Sequence, residues 1–531
     1  MNRINILDCT LRDGGYINDF AFGETVIKSI VDKLTKSSID IIECGFLKSG
    51  AFNKDKSLYG SIEAVSNIIT ERNKNILYVA MLQFGAISSE EISEHHENSI
   101  DGIRLTFHEH EINPAFELGK ELIKKGYKVF MQPVGTITYT DESLLKLINR
   151  VNFLRPFAFY LVDTLGTMYK NDLLRMFYLV DHNLDKNISI GFHSHNNLQL
   201  SFANAQELLQ LNTPRKLIID SSIFGMGRGA GNLNTELVTH YINTNFGFQY
   251  DNLQILEILD TYIKPLSKTY KWGYDAAYYI ASITGCHPNY ASFLLNKQTL
   301  HIQDIYAVLN SLSLEKRALF DKVYIGQQYL KYMSHHVDDS NSIKYLKEKL
   351  FDANVLLLAP GKSLKQNENK ISKYIRKNNC FVVCINFVPE KIPFSMLFIS
   401  NMKRFANISD LGKLKIEGLD IVVTSNITVD TSMGYNIVNY SSYINDELAI
   451  ADNAGLMCIN LMLKLRIKKI IMAGFDGFST NKTDNFYDNS YNLDVEQERL
   501  LAITEAMGKK IKQISSQIPI EFLTKSAYDI K

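Results

Sequence analysis

The chain has no excess of charge of either sign. Lysine plus arginine and aspartate plus glutamate both number 57 in 531 residues. No net field steers it toward nucleic acid or an anionic membrane, although local basic clusters stay open. Cysteine is scarce: Cys9, Cys44, Cys286, Cys380, Cys384 and Cys458 are scattered, with no close pair of the zinc type. Cys380 and Cys384 lie in an apolar, strand-like run. Such cysteines read as small core residues of a reduced, cytoplasmic protein. There is no apolar signal segment at the amino terminus and no run of roughly eighteen or more apolar residues, so a soluble protein is expected. The GxxxxGKT spacing of a P-loop and the GxGxxG of a dinucleotide fold are also missing.

What is present is enough apolar sequence, 46%, to build more than one core. The length predicts two or three domains, of which a barrel of roughly 250 to 300 residues could take the largest share. Eight β-rich runs recur through the first 225 residues: 4–7, 39–46, 76–82, 102–107, 128–134, 157–164, 188–195 and 216–222. Between them lie stretches such as ETVIKSIVDKLTKSS and DESLLKLINRV, whose apolar residues return every three to four positions. That period predicts surface-packed helices. Eight strand–helix units of about thirty residues predict a closed (β/α)8 TIM barrel over 1–252, with a doubly wound open sheet as the runner-up.

Catalytic groups of a barrel lie at the carboxyl ends of its strands. Polar residues concentrate at those positions: Arg12 and Asp13, Glu43, Gln83, Thr106 and His108, Gln132, Asp163, His193 and His195, and Asp220. The next segment, 253–351, turns helical and aromatic and is expected to extend over one mouth of the barrel. From 352 to 531, VLLLAPGKSL, FVVCINFV, SMLFISN, LDIVVTSN and KKIIMAGFDGF predict a second, smaller Rossmann-like α/β domain. There APGKSL sets a glycine turn after a strand, which reads either as a phosphate cradle or as a plain tight turn.

Three short stretches carry chemistry. DCTLRDGGY, Asp8–Tyr16, fixes an arginine beside an aspartate directly after the first strand. In GFHSHNNL, His193 and His195 are two apart, so on a strand both imidazoles face one side. With Asp13 they form a two-histidine, one-carboxylate set that could hold an octahedral divalent ion and leave positions for substrate and water. The competing reading is two hydrogen-bonded rim histidines. In IDSSIFGMGRGAGNLNTEL, Gly225, Gly227, Gly229 and Gly231 alternate with other residues, which lets backbone approach an oxyanion or a metal shell closely.

LDCTLRDGG, VDTLGTM, GFHSHNNLQLSFANA and DSSIFGMGRGAGN together resemble the DRE-TIM metallolyase superfamily, above all the 4-hydroxy-2-oxovalerate aldolases. The hydroxymethylglutaryl-CoA lyases and the isopropylmalate and homocitrate synthases are more distant. The resemblance spans roughly residues 4 to 300 and implies Mn2+ or Mg2+ and a carbon–carbon bond made or broken beside a pyruvate enolate. It implies Asp13, His193 and His195 as metal ligands and Arg12 as the group that neutralises the enolate oxygen. The chemistry agrees, since a 2-oxo acid offers a bidentate chelate whose keto oxygen gains charge. Asp8 and Glu43 are expected to orient Arg12, and Asn232 to support the shell or ligate.

Two departures qualify that likeness. Where the aldolases carry a proton-relaying histidine, three positions after the metal aspartate, this chain has Tyr16. With a reference pKa near 10, a tyrosine serves as a donor more readily than as a base. Tyr16 is therefore expected to hold the aldehyde oxygen while another group exchanges the proton, His287 ahead of Tyr274, Tyr278 and Tyr290. Second, the carboxyl-terminal half weakly resembles Rossmann-like domains of bacterial surface-polysaccharide biosynthesis proteins. That implies a sugar-derived aldehyde, which His108, His110, Gln132 and Lys170 would suit. The expected partners are pyruvate and an aldehyde, with no nucleic acid and no membrane, and a homo-oligomer is left open. The alternatives are a Claisen-type acyl-CoA lyase or synthase, decarboxylation of an oxo acid, and a non-catalytic barrel that supports the second domain.

Overall fold

The computed structural model describes residues 3–297, 300–334, 336–410, 412, 418–430, 433–479, 485–487 and 497–529. It divides into two compact units. One comprises Met1–Ser292 with Ser313–Phe320, the other Phe293–Leu312 with Asp321–Lys531. Of the helical region that follows the barrel strands, the part up to Ser292 therefore lies in the first unit, and most of the remainder in the second.

All eight expected strands form in the first unit. They are β1 (Ile4–Asp8), β2 (Ile41–Leu47), β3 (Leu77–Gln83), β4 (Gly102–Phe107), β5 (Lys128–Pro133), β6 (Ala158–Asp163), β7 (Ser189–Ser194) and β8 (Leu217–Ser221). Each pairs in parallel with the next, and β8 pairs with β1 from Ile4↔Leu217 to Asp8↔Ser221. Because both flanks of β1 are taken, the sheet closes and the open-sheet alternative falls. A two-residue strand, Leu58–Tyr59, adds only to β2.

The helices between the strands present the apolar stripe that their sequences carry. Helix α1 (Glu24–Lys36) buries Ile27, Ile30, Val31 and Leu34. The regular alternation fails once: the β3–β4 connection holds only the short 3-10 turn Ser89–Glu91. Later in the barrel, the helix Lys170–Asn183 runs toward β7, and its terminal carbonyls would be orphaned by burial. Arg215 caps them. Its Nη2 donates to the carbonyls of Asp181 and Leu184 at 2.9 Å, and its Nη1 to those of Asp185 (2.7 Å) and Ile188 (2.8 Å). Its Nε also pairs with the Asp181 carboxylate at 2.5 Å.

The second unit is an open parallel sheet of β9 (Asn354–Leu358), β10 (Phe381–Ile385), β11 (Met396–Ile399), β12 (Asp420–Thr424), β13 (Asn436–Val438), β14 (Lys469–Ala473) and β15 (Ile520–Phe522). Its order is β13-β12-β11-β10-β9-β14-β15. The sequence reading found five of these strands and missed β13 and β15, which are three residues each. It also left the APGKSL turn open, and the structure resolves it. Gly361 N–H donates to the Gly474 carbonyl at 3.1 Å, and Ser363 N–H to the Asp476 carboxylate at 2.7 Å. The protein's own carboxylate fills that turn, so it is not a phosphate cradle. No helix among the described residues is long and apolar enough to cross a membrane.

Replacing Arg215 removes the donors for four carbonyls, two of them fully buried, and strands the Asp181 carboxylate. Arg215→Ala should destabilise the barrel by about 3–5 kcal/mol, and Arg215→Lys should recover little of it. Urea unfolding followed through Trp272, the chain's sole tryptophan and part of the first unit, reads this directly.

Candidate metal centre and active site

Directly after β1 the chain turns back on itself, with Arg12 N–H and Asp13 N–H both donating to the Cys9 carbonyl at 3.1 and 2.8 Å. The paired glycines follow from crowding. A Cβ on Gly15 would lie 2.2 Å from the Phe20 ring, and one on Gly14 would lie 3.1 Å from Met226. This turn delivers Asp13 to the barrel axis. His193 on β7 and His195 just beyond it arrive from the far side of the seam, their rings 5.3 Å apart and nearly perpendicular. Asp13, His193 and His195 are all buried, and each offers a ligand atom within 4.8 Å of the others'. The three-residue set expected from the sequence therefore assembles.

Its electrostatics suit a cation. Burial alone would push Asp13 up, but Arg12, with His195 and Arg228, holds its carboxyl well below the usual range. Burial pushes His195 down to about 3, leaving a neutral imidazole, the form that ligates. His195 Nδ1, Asn232 Oδ1, Glu43 Oε1 and Arg12 Nη2 are all buried without a protein partner. Orphaned acceptors and an orphaned donor in one buried cluster fit a metal and an anionic ligand, since buried polar groups otherwise find partners.

Beneath the cluster runs a buried ion network. Glu43 Oε2 takes Arg12 Nε at 2.8 Å and lies 2.7 Å from Arg104 Nη1. Arg104 Nη2 pairs with Asp220, whose Oδ2 also meets His193 Nδ1 at 3.0 Å, and Tyr160 OH donates to Asp220 Oδ1 at 3.0 Å. Gln132, oriented with its amide oxygen toward Arg104, accepts from Nε and Nη2 at 2.6 Å. Asn232 Nδ2 donates to Asp13 Oδ2 at 2.7 Å, so Asn232 supports the metal aspartate. A Cβ on Gly227 would sit 2.4 Å from Asn232 Nδ2 and 2.7 Å from Asp13 Oδ2, which is the close approach expected of the glycine loop.

Other expected residues have different partners. Asp8 accepts from Thr10 N–H (2.9 Å) and Thr235 Oγ1 (2.7 Å), so it ties the end of β1 to a helix start and leaves Arg12 to Glu43. Asp163 accepts from the amides of Thr167 (2.9 Å) and Met168 (3.1 Å) and shapes the loop after β6. Tyr16 is 39% exposed, edge-on to Phe20, with the Arg228 guanidinium 4.3 Å from its ring centroid. His287 is near enough to Arg228, His195 and His108 for their charges to act on it, and burial above all pushes it down to about 3. Its Nδ1 accepts from Asn289 N–H at 3.1 Å, which leaves the ring proton on Nε2. Tyr290 donates to the Lys316 and Leu319 carbonyls, and Tyr278 bonds Ser292, so both serve packing. Lys170 pairs with Glu207, and the His108 and His110 rings stack 5.7 Å apart.

Sequence reasoning missed Arg104, Tyr160, Arg228 and Asn197. A lone arginine inside GIRLTF was the available signal for the first. Asn197, the second asparagine of HNN, donates to the Leu165 carbonyl (2.9 Å) and accepts from Ala230 N–H (2.9 Å), joining three rim loops.

Two outcomes follow from this geometry. Asp220→Asn weakens the group that orients His193, so Mn2+ affinity measured by calorimetry should fall about 10–100-fold, while Lys170→Ala leaves it unchanged. Burial raises Asp163 from 3.8 to about 6. The stability contributed by its protonated form is present below about pH 4 and is lost as pH rises through about 6, by at most roughly 3 kcal/mol. The advantage of wild type over Asp163→Asn in Trp272-monitored unfolding should shrink across that window.

Residues 3–261 match the family described as HMGL-like. The chain is 26% identical over 276 residues to a 4-hydroxy-2-oxovalerate aldolase of Geobacillus genomosp. 3, covering 50% of this chain and 77% of that protein. It is also 26% identical over 239 residues to an oxaloacetate decarboxylase of Mycobacterium tuberculosis, covering 44% of this chain and 67% of the other. Among solved structures, the HMG-CoA lyase of Brucella melitensis aligns at 15% identity and a TM-score of 0.42, over 50% of this chain and all of that one. With the closed barrel and its Asp–His–His cluster, the family match and the sequence relatives show that residues 3–261 have the fold of the HMGL-like, DRE-TIM metallolyase superfamily, related to HMG-CoA lyase and 4-hydroxy-2-oxovalerate aldolase, and that a second α/β domain follows it.

Proposed function

We propose that the barrel is a divalent-metal-dependent aldolase that makes or cleaves a carbon–carbon bond between the enolate of pyruvate and an aldehyde. The observation that carries this reading is the third nitrogen of Arg12. Its Nε and Nη1 are fixed by Glu43 and Asp13, while its buried Nη2 has no protein partner beside the Asp13–His193–His195 cluster. A guanidinium held at two corners presents the remaining donor in a set direction. That is the preorganised donor that charge developing on a keto oxygen requires.

Asp13, His193 and His195 would hold Mn2+ or Mg2+, with Asn232 steadying Asp13. When bound, the ion would chelate the 2-oxo acid and stabilise charge on its keto oxygen. Arg12 Nη2 donates to that same oxygen. Tyr16, at the rim, holds the aldehyde oxygen through its hydroxyl. His287 has its proton on Nε2 and resists taking a second, so it acts as a hydrogen-bond donor to the acceptor rather than as the base first expected of it. A polyhydroxylated, sugar-derived aldehyde fits His108 and His110 at the rim. Gln132 and Lys170, already engaged by Arg104 and Glu207, are withdrawn from that role. The relative named oxaloacetate decarboxylase supports a second reading, loss of CO2 from a 2-oxo diacid, which passes through the same enolate.

Pyruvate in deuterated water with the metal-loaded protein should lose its methyl proton signal in NMR. Exchange should vanish on metal removal or in Asp13→Asn, and fall about 100- to 1,000-fold in Arg12→Lys. Exchange indifferent to metal and to Asp13, or none with any aldehyde added, would refute the aldolase. Faster CO2 release from oxaloacetate than turnover of any aldehyde would instead select the decarboxylase.

A further inference from the structure

The second unit has a cavity whose position in the sheet is its first clue. The chain leaves β9 in one direction to build β10–β13, then returns to lay β14 on the other side of β9. Where the winding reverses, the loops after adjacent strands separate, and open parallel sheets bind ligands in the crevice outside those carboxyl ends. A cavity of about 270 Å3 lies there, lined by Ala359–Gly361 after β9, Asn386 after β10, Ser400 and Asn401 after β11, and Gly474–Phe478 after β14. The floor is tightly built. A Cβ on Gly361 would fall 2.2 Å from the Gly474 carbonyl oxygen, and one on Gly474, at φ +76°, would fall 2.0 Å from that of Ala359.

The lining differs between its two sides. One side is cationic. Lys297 is almost wholly buried and faces both carboxylate oxygens of Asp452 at 3.3 and 3.4 Å, while Tyr329 OH donates to Asp452 at 2.7 Å. These ammonium contacts are longer than a tight charge-assisted bond of about 2.7–2.9 Å, and the ammonium also lies 4.7 Å from the Tyr329 ring centroid. Beside it begins the twelve-residue helix Ala454–Leu465. Its Asn453 cap takes the Leu456 amide at 3.2 Å, and Ala454 and Gly455, the first two residues of the helix, line the cavity. Arg404 contributes a second cation to the lining. The remaining lining carboxylate, Asp476, is held by Ser363.

The other side is aromatic at Phe478 and Phe486, whose rings sit 6.0 Å apart, while Phe475 reaches across to the helix start, where a Cβ on Gly455 would lie 2.9 Å from its ring. Asn386 uses its Oδ1 on Ser400 N–H at 2.9 Å, which leaves its NH2 to donate elsewhere.

We infer that this cavity is a nucleotide site: the phosphate is taken by Lys297, Arg404 and the start of the helix Ala454–Leu465, and the base by the phenylalanine wall. The volume, about 270 Å3, falls just below the roughly 300–1,000 Å3 usual for ligand pockets, which excludes a dinucleotide and limits the ligand to a single compact nucleotide. The site is independent of the barrel chemistry and stands whether or not the barrel is an aldolase.

Calorimetry on the full chain with AMP, GMP, CMP and UMP tests it, with inorganic phosphate and ribose 5-phosphate as base-free probes. At least one nucleotide should bind at least ~10-fold more tightly than ribose 5-phosphate, because base–aromatic stacking contributes about 1–3 kcal/mol. Arg404→Ala and Phe478→Ala should each weaken it ~10-fold or more, and Asp13→Asn should leave it unchanged. If Arg404→Ala lowers the melting temperature, Asn386→Ala replaces it as the variant that must lose affinity while keeping the fold. Failure of all four nucleotides to bind at millimolar concentration, equal binding of ribose 5-phosphate, or loss of binding in Asp13→Asn would each overturn the site.

Discussion

The barrel's chemistry depends on one fully buried guanidinium. Arg104 has no exposed surface, and desolvating a cation costs several kcal/mol unless its partners offset it. Glu43 and Asp220 do so from opposite sides, with Gln132 completing the set and the Tyr160 ring 4.9 Å away. Each carboxylate then has a second duty. Glu43 carries Arg12, and Asp220 carries His193, so the arginine that would meet substrate and the histidine that would meet metal are both referenced to the same buried charge. Removing Arg104 would strand two buried carboxylates at once, which would cost the barrel stability as well as the alignment of its rim.

That arrangement requires a closed barrel. Glu43 is on β2, Arg104 on β4, Asp220 on β8 and Arg12 after β1, so the network crosses the interior and spans the seam where β8 meets β1. In an open sheet the first and last strands would be edges, and Asp13 could not meet His195. The rim loops are fixed by separate means. Asn197 joins those after β6, β7 and β8, and the glycine loop presses Gly227 against Asp13 and Asn232. Rigid loops are what allow three side chains from two distant strands to converge within a metal's reach.

Strand positions in the sequence were legible because parallel strands buried on both faces read as unbroken apolar runs, and all eight barrel runs are strands. The metal set was legible for a related reason: HxH at a strand end and an aspartate after another strand need only the strand period and barrel closure to meet. What stayed hidden depends on tertiary partners. Asp8, Asp163 and Glu43 are all acids on barrel strands, yet Asp8 and Asp163 bond loop amides or hydroxyls while Glu43 holds two arginines. Nothing local distinguishes them. The APGKSL turn was ambiguous for the same reason, since its anion is Asp476, more than a hundred residues away.

Tyr16 stands where the resemblance to the aldolases implies a histidine, and its surroundings suit a tyrosine. A histidine there would bring a titratable ring beside Arg228, which would disfavour the protonated form. A tyrosine ring instead attracts that guanidinium through its π face, an interaction worth about 0.5–1 kcal/mol where partly exposed. Arg228 is thereby held close enough to Asp13, His195 and His287 for its charge to act on all three. It depresses the basicity of both histidines and helps to keep Asp13 ionised. Tyr16 and Arg228 together thus set a fixed positive charge at the mouth of the site.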